Sequence, residues 1–95
     1  MMIFEWDSRK ASTNTKKHHV TFEEASSVFG DVFSVTIPDP DHSDDEVRML
    51  ILGQSNRGLL LVVSFCERNS HTRIVSARPA TNHERKAYEA NPKKG

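Results

Sequence analysis

The sequence has little of what several classes of protein need. Cys66 is the only cysteine among 95 residues, so an intramolecular disulfide is impossible. Its place in an apolar run favours a small buried side chain over a reactive thiol. No apolar run approaches the roughly 20 residues that cross a bilayer. The start, with Glu5 and Asp7, lacks the cationic and apolar segments of a signal peptide. We therefore expect a cytoplasmic protein with no membrane partner.

Motifs for metal and nucleotide chemistry are also missing. The five histidines form no helical pair of ligands, and there is no thiolate cluster. Neither a glycine-rich phosphate loop nor a nucleophile elbow is visible. The acidic loop predicted over 38–45 lacks the glycine and the distal glutamate of a calcium site. We expect no metal and no other cofactor, so any catalysis must use arginine, lysine, histidine, glutamate or tyrosine.

The charges cancel in sum but separate along the chain. Thirteen Lys and Arg balance thirteen Asp and Glu, which argues weakly against a nucleic-acid partner. Yet residues 39–46 carry five acidic and no basic side chains, whereas residues 68–94 carry seven basic and two acidic ones. The basic third can hold phosphates, and the acidic stretch can repel them or meet a basic partner. An ordinary solvated surface explains the same pattern.

Capping residues and periodicity predict two N-terminal helices. Asp7 can cap a polar helix over Ser8–Lys17, because its carboxylate can accept from the first-turn amides. Thr21 and Glu24 have the spacing of a capping box that opens a second helix, and Gly30 is a natural stop for it. The apolar stripe of the second helix consists of Phe22, Ala25, Val28 and Phe29. The stripe of Lys10, Asn14 and Lys17 on the first helix is typical of a solvated face.

Extended runs and a last helix follow. The predicted strands are Phe33–Ile37, Val47–Gln54, Leu59–Glu67 and Thr72–Ala80, and the apolar start around Phe4 allows another. Short turns through 56–57 and 69–70 require antiparallel neighbours. Thr81 and Glu84 form a second capping box, opening a short C-terminal helix that fades near 91–92. The chain thus predicts one α+β domain over 1–95, with two N-terminal helices against an antiparallel sheet of about four strands.

Alternation along the strands distributes the arginines over the sheet. With tight turns centred on 56–57 and 69–70, one face receives Arg48, Glu67 and Arg78, and the other receives Arg73. A one-residue error in either turn reverses part of this assignment. Pairing of Arg48 or Arg73 with Glu67 is one explanation for arginines on an apolar sheet, and a phosphate site is another.

Side chains of these types are sufficient for RNA cleavage. RNA carries its own nucleophile, the 2′-hydroxyl. A protein need only orient it against the adjacent phosphate, remove its proton, stabilise the added negative charge and help the leaving oxygen depart. Guanidinium groups suit the phosphate, because they hold it in two parallel hydrogen bonds.

Several short blocks, in order and closely spaced, carry a family resemblance. They are Phe4–Asp7 with Lys10 and Asn14, Lys17–Ala25 with Phe29 and Asp31, Arg48 with Gly53, Glu67–Arg68, Arg73–Arg78, and Ala80–Thr81 with Glu84–Arg85 and Tyr88. Together they resemble the BrnT family of toxin–antitoxin ribonucleases over nearly the whole chain. The resemblance implies a RelE-like fold, RNA cleavage without metal that inhibits translation and growth, and inhibition by a BrnA-type antitoxin that supplies operator DNA binding.

The resemblance and the chemistry of RNA cleavage give a set of candidate site residues. The expected phosphate and transition-state ligands are Arg48, Arg73 and Arg78. Glu67 or His18 is the expected proton acceptor, and Tyr88 is expected to position a base or the leaving group. The expected RNA-binding residues are Lys10, Lys17, Arg68 and Arg85. Structural roles compete with three of them. Glu67 can pair with an arginine, His18 can shape the turn between the helices, and Tyr88 can belong to the core.

Three positions depart from the family pattern. His19 stands where glycine is usual, which alters a turn that glycine enters more easily. Pro79 replaces a common basic residue, and Asn82–His83 replaces a more basic pair, so both lower the positive charge beside the expected RNA surface. Two further functions therefore stay open. One is a non-catalytic nucleic-acid-binding module, and the other is a partner that still binds an antitoxin but has lost catalysis.

Overall fold

The computed structural model describes residues 1–40 and 47–92. Within these residues five strands form one sheet, in which the first strand of the chain is followed by the fifth, fourth, third and second. Their bounds are Phe4–Glu5 (β1), Val35–Pro38 (β2), Arg48–Gln54 (β3), Leu60–Arg68 (β4) and His71–Pro79 (β5). The number is five rather than about four, because the short apolar start adds β1. Of the predicted acidic loop, the part from residue 41 onward lies outside the described residues.

The helices and the strand directions give the predicted α+β class. The helices are α1 (Ser8–His18), α2 (Phe22–Ser27, continued by a 3₁₀ turn over Val28–Gly30) and α3 (Asn82–Glu89). The four longer strands pair antiparallel, as predicted. However, β1 runs parallel to β5, so the sheet as a whole is mixed rather than antiparallel.

Local capping explains where the helices begin. Asp7 Oδ1 accepts from the amides of Arg9 and Lys10 at 2.8 and 3.3 Å. At α3 both bonds of the predicted capping box are present between Thr81 and Glu84.

At α2 the predicted capping box is only half formed. Thr21 Oγ1 accepts from the amide of Glu24, but the carboxylate of Glu24 does not return to the cap. It accepts from the hydroxyl of Ser55 at 2.7 Å instead. The prediction of a complete box was wrong here, because a tertiary partner competes for the carboxylate.

The hydrophobic core lies between α2 and one face of the sheet. Its buried residues are Val20, Phe22, Ala25 and Val28 from the helical segment and Ile51, Leu61, Val63, Phe65, Ile74 and Ala77 from the strands. The ring of Phe29 contacts Phe65 edge-on, with centroids 4.9 Å apart. We call the sheet surface on this side the core face and the opposite surface the outer face.

Asn14 attaches α1 to the free edge of β5. Beyond the two-residue β1 this edge would present an unpaired amide and carbonyl at Ala77. Asn14 Oδ1 accepts from the Ala77 amide at 3.0 Å, and its Nδ2 donates to the Ala77 carbonyl at 2.8 Å. Nδ2 also donates to the carbonyl of Val20. A side-chain amide therefore replaces the neighbouring strand and fixes α1 beside β5.

Replacing this amide by a carboxylate is expected to destabilise the fold. Asn14→Asp keeps an acceptor for the Ala77 amide but has no N–H for the two carbonyls, and it adds a charge at a position that is only 6% exposed. Two lost bonds to buried acceptors cost roughly 3 kcal/mol in the free energy of unfolding. Urea denaturation measures this. Ser12→Asp is the control, because it adds the same charge at an exposed position of the same helix, and equal midpoints for the two variants would contradict the role given to Asn14.

The strand connections place the arginines differently from the sequence prediction. The first connection is a five-residue loop, because Gln54 pairs with Leu60 rather than with Leu59. In the hairpin of β4 and β5, the predicted register holds from the turn as far as the pair of Phe65 with Ile74. The next residue, Ser64, pairs with Ser76, so Val75 is an extra residue in a β-bulge.

Each of these one-residue shifts moves the side chains beyond it to the opposite face of the sheet. Arg48 and Arg73 both pair with Cys66, and Arg78 pairs with Val62, so all three arginines project from the outer face. The predicted assignment, with Arg73 alone on the opposite face, was wrong. The correction brings the three predicted phosphate ligands onto one side of the sheet.

Candidate nucleic-acid interface

Three arginines of the outer face, Arg48, Arg73 and Arg78, occupy two separate rows. Arg48 and Arg73 flank Cys66, and with strands about 4.8 Å apart their Cα atoms lie roughly 10 Å from each other. Arg78 lies in the row of Val62, four residues further along β4 or roughly 13 Å. The side chains therefore suit successive points along a nucleic-acid strand rather than a single phosphate.

Two of the three guanidinium groups have carboxylate partners. Arg73 Nη1 donates to Glu5 at 2.7 Å. Arg78 donates to both oxygens of Glu84, at 2.8 and 2.9 Å. Arg48 has no ion pair among the described residues. Since the paired side chains are 26–40% exposed, such pairs contribute at most about 1 kcal/mol each and can exchange for a phosphate.

The pair of Arg78 and Glu84 stays charged at neutral pH. The Arg78 guanidinium lowers the pKa of Glu84 to about 2, and the hydrogen bonds to Glu84 raise the pKa of Arg78 above its ordinary value. A lowered carboxyl pKa stabilises the fold above the unfolded-state pKa of 4.5 and loses that contribution as the pH falls toward 2. A phosphate that binds Arg78 at neutral pH must therefore compete with an ionised carboxylate.

Glu67 does not join these arginines. It pairs with Thr72 in the backbone register, on the core face, and its Oε1 accepts from the Thr72 hydroxyl at 2.9 Å. The predicted pairing of Glu67 with Arg48 or Arg73 is wrong, because Glu67 lies on the core face whereas both arginines lie in the row of Cys66 on the outer face.

A basic groove runs between α1 and β5. It encloses about 330 Å³ and is lined by Arg9, Lys10, Thr13, Asn14, Lys17 and His18 of α1 and by Val75 and Ser76 of β5. Three predicted site residues, Lys10, Lys17 and His18, meet here. The lining carries cationic and neutral groups and no carboxylate, so its electrostatic potential favours an anion.

The basic groove continues onto the outer face. Ser76 lines the groove, and its register partner Ser64 belongs to the outer face. At the start of α1 the backbone amides of Lys10 and Arg9 hold the pKa of Asp7 below its ordinary value, and the charges of Lys10 and Arg73 act in the same direction. Arg73 is the register partner of Glu5, which precedes the cap Asp7 by two residues. Arg73 therefore lies close to the end of the groove that Arg9 and Lys10 form.

Tyr88 lies inside the protein rather than on this surface. It is 2% exposed, and its hydroxyl donates to Asp31 Oδ2 at 2.5 Å. Burial and the Asp31 carboxylate raise the pKa of Tyr88 to about 12. The same Asp31 oxygen accepts from the amide of Gln54. Tyr88 therefore anchors α3 to the end of β3, as the alternative core role of Tyr88 requires.

The remaining predicted RNA-binding residues are exposed. Arg85 lies on α3, and Arg68 ends β4 as the register partner of His71. Sequence reasoning missed Arg9, Ser76, Glu5 and His71. The sequence did offer a reason to include Arg9, because it is adjacent to the predicted RNA-binding residue Lys10. No such reason existed for Glu5, which only the fold brings beside His71 and Arg73.

Residues 1–40 and 47–92 contain no group of three or more His, Cys, Asp or Glu side chains arranged to hold a metal ion. Over the same residues no helix has the length and apolar character needed to cross a membrane.

The family model described as the ribonuclease toxin BrnT of a type II toxin–antitoxin system matches residues 6–84. The chain belongs to the BrnT family. It is thus a BrnT-family ribonuclease toxin of a type II system, and such a system implies an antitoxin protein as partner. The match includes Arg48, Arg73 and Arg78 as well as the basic groove, whereas Arg85 and Tyr88 fall beyond it.

A solved structure supports the same fold. The chain is similar to the ribonuclease toxin BrnT of Brucella abortus, with a TM-score of 0.67 and 22% sequence identity. The similarity covers 86% of this chain and 100% of the Brucella chain. Among curated proteins, no sequence matches the chain.

Proposed function

We propose that this BrnT-family chain, acting as one toxin domain over residues 1–95 in the cytoplasm, is an endoribonuclease that cleaves RNA without a metal ion. Cleavage inhibits translation and growth until a BrnA-type antitoxin neutralises the chain and links it to operator DNA. We also propose that the fold is of the RelE-like type. The observation that carries the proposed function is the basic groove between α1 and β5, which continues to the arginines of the outer face.

The groove and the arginines have complementary roles in this proposal. Lys10 and Lys17 bind the RNA backbone as point charges in the groove, and Arg68 and Arg85 extend the contact. Arg48, Arg73 and Arg78 bind phosphate oxygens and stabilise the extra negative charge of the transition state. Arg73 and Arg78 do so by exchanging their carboxylate partners for phosphate, which the partial exposure of both ion pairs permits.

Proton transfer completes the mechanism. Of the two predicted proton acceptors, His18 lines the groove, whereas Glu67 projects from the core face. A base that removes the 2′-hydroxyl proton allows the 2′-oxygen to attack phosphorus, which leaves a 2′,3′-cyclic phosphate and a 5′-hydroxyl. The products therefore report the mechanism directly.

A non-catalytic RNA-binding module is the second candidate function. The ion pairs of Arg73 and Arg78 favour it, because they occupy two of the three expected phosphate ligands with carboxylates. A protein of this kind retards RNA but leaves its length unchanged.

Incubation of the purified chain with RNA in the presence of a chelator tests the proposal. We expect shortened RNA with 2′,3′-cyclic phosphate ends, and protection of the RNA when the BrnA-type antitoxin is added. Gel electrophoresis and end-group analysis measure both. Retarded RNA of unchanged length would favour the binding module, and cleavage that stops in chelator would contradict metal independence.

A further inference from the structure

A carboxylate joins a histidine to an arginine at the end of the outer face where β1 meets β5. Glu5 Oε1 lies 3.0 Å from Nδ1 of His71, and Glu5 Oε2 accepts from Arg73 Nη1 at 2.7 Å. The register explains the arrangement. Glu5 is the parallel partner of Arg73, and His71 precedes Arg73 by two residues, so all three side chains share one face.

The hydrogen bonds of Glu5 fix the state of the imidazole. Bonds from Arg73 and from His71 lower the pKa of Glu5, so it is a carboxylate at neutral pH. A carboxylate only accepts hydrogen bonds, so Nδ1 of His71 carries the proton and the lone pair of the neutral ring lies on Nε2. The His71 side chain is 41% exposed. A histidine oriented by a carboxylate, with its basic nitrogen accessible, has the arrangement of a general base.

The charged groups around this histidine suit a phosphodiester. Those that face it are Glu5 from β1, Arg73 on its own strand and Arg68, its register partner on β4. Arg48 lies one row away across Cys66. The basic groove ends close by, because Glu5, the register partner of Arg73, lies two residues before Asp7, which caps α1. An RNA strand in the groove therefore reaches this end of the sheet.

We propose that His71 is the catalytic proton acceptor of RNA cleavage and that Glu5 is the residue that positions it. This inference rests on the proposed ribonuclease function and names a base other than His18 or Glu67. In the described residues His18 has no carboxylate to orient its ring, and Glu67 lies on the core face.

The proposed step is balanced without a cofactor. Nε2 of His71 takes the proton of the 2′-hydroxyl while the 2′-oxygen forms a bond to phosphorus. The bond between phosphorus and the 5′-oxygen breaks with its electron pair on that oxygen, which takes a proton from water. The hydroxide so formed removes the proton from His71 and restores the neutral ring. Arg73 and Arg48 stabilise the charge on the phosphoryl oxygens.

Kinetics of three variants on a short RNA in chelator test this assignment. We expect His71→Ala to lower kcat at least about 100-fold, as is typical for loss of a general base, and added imidazole to restore part of the rate. His83→Ala is the matched control, because this histidine is exposed on α3 and belongs neither to the lining of the basic groove nor to the contacts of Glu5. It should change kcat less than about fivefold. Glu5→Ala should lower kcat about tenfold while KM changes little, because Nδ1 of His71 loses the carboxylate that orients the ring.

The outcomes separate this assignment from the proposed function. If the wild-type chain cleaves and His71→Ala cleaves equally well, the role of His71 is overturned and the ribonuclease stands. If the wild-type chain does not cleave, both proposals fail. If His71→Ala does not fold, the kinetics of Glu5→Ala decide, and an unchanged kcat overturns the assignment.

Discussion

Replacing Arg78 by alanine is expected to abolish growth inhibition while leaving antitoxin binding intact. The substitution removes a guanidinium that can hold a phosphate in two parallel hydrogen bonds. Loss of one such donor to a developing negative charge lowers cleavage roughly 100-fold or more. Its structural cost is small, since the partly exposed pair with Glu84 contributes about 1 kcal/mol or less. Growth after induction without antitoxin, with pull-down of the antitoxin as a test of folding, measures both effects.

Glu84→Gln is the matched control for Arg78, because it breaks the ion pair from the other side. Glutamine keeps the capping bond that Glu84 Oε1 accepts from the Thr81 amide. The variant leaves Arg78 in place without its carboxylate, so we expect toxicity to persist and RNA affinity to rise several-fold. If Arg78 only joins β5 to α3, both variants should instead lose activity to a similar degree. A fully toxic Arg78→Ala variant would show that this arginine does not act in cleavage.

Reversing two charges in the basic groove is expected to abolish RNA binding. Lys10→Glu combined with Lys17→Glu places carboxylates where α1 faces β5, and both positions line the groove. We expect the affinity for single-stranded RNA to fall at least about 100-fold at moderate salt. The slope of log affinity against log salt should decrease by about 1.4, since each lost phosphate contact on a single strand removes about 0.7. Fluorescence anisotropy over a salt series measures both quantities.

A second double variant controls for net charge. Lys16→Glu with Lys86→Glu changes the total charge by the same amount at two exposed positions that do not line the groove. Only a general electrostatic effect would weaken RNA binding equally in the two double variants, and that result would remove the groove from the proposed function. A selective loss in the groove variant supports the local site.

The parts of the fold that depend on neighbouring residues were predictable from the sequence. Asp7 caps α1 through amides two and three residues away. The capping box at Thr81 likewise needs only Glu84. The strand segments follow from apolar runs bounded by turn residues. In each of these cases the deciding contacts lie within a few positions along the chain.

The register of the sheet was not predictable, because distant residues decide it. The loop between β3 and β4 is held by Ser55, whose hydroxyl accepts from the Leu59 amide and donates to Glu24 of α2. Beside the bulge at Val75, the amide of Asn14 replaces a strand at Ala77. The alternation of apolar and polar residues along the sequence indicates neither contact. The one-residue bulge at Val75 is what places Arg78 on the same face as Arg73.

The candidate site was predictable in its residue types more than in its arrangement. Lys10, Lys17 and His18 came from the family resemblance and the residue chemistry, and they line one groove. The contact of Glu5 with Arg73 joins positions 68 residues apart. It depends on parallel pairing between a two-residue strand and the last strand, for which the sequence offers no local pattern.

The location of bound RNA tests the central claim most directly. Amide chemical shifts of the labelled chain can be followed during titration with a short RNA whose 2′-hydroxyl is replaced by hydrogen at the cleaved nucleotide, so that binding occurs without cleavage. We expect the largest shift changes along α1 from Arg9 to His18, at Val75 and Ser76, and at the start of β5. Changes confined to α2 and the loop between β3 and β4, with α1 and β5 unaffected, would contradict the account.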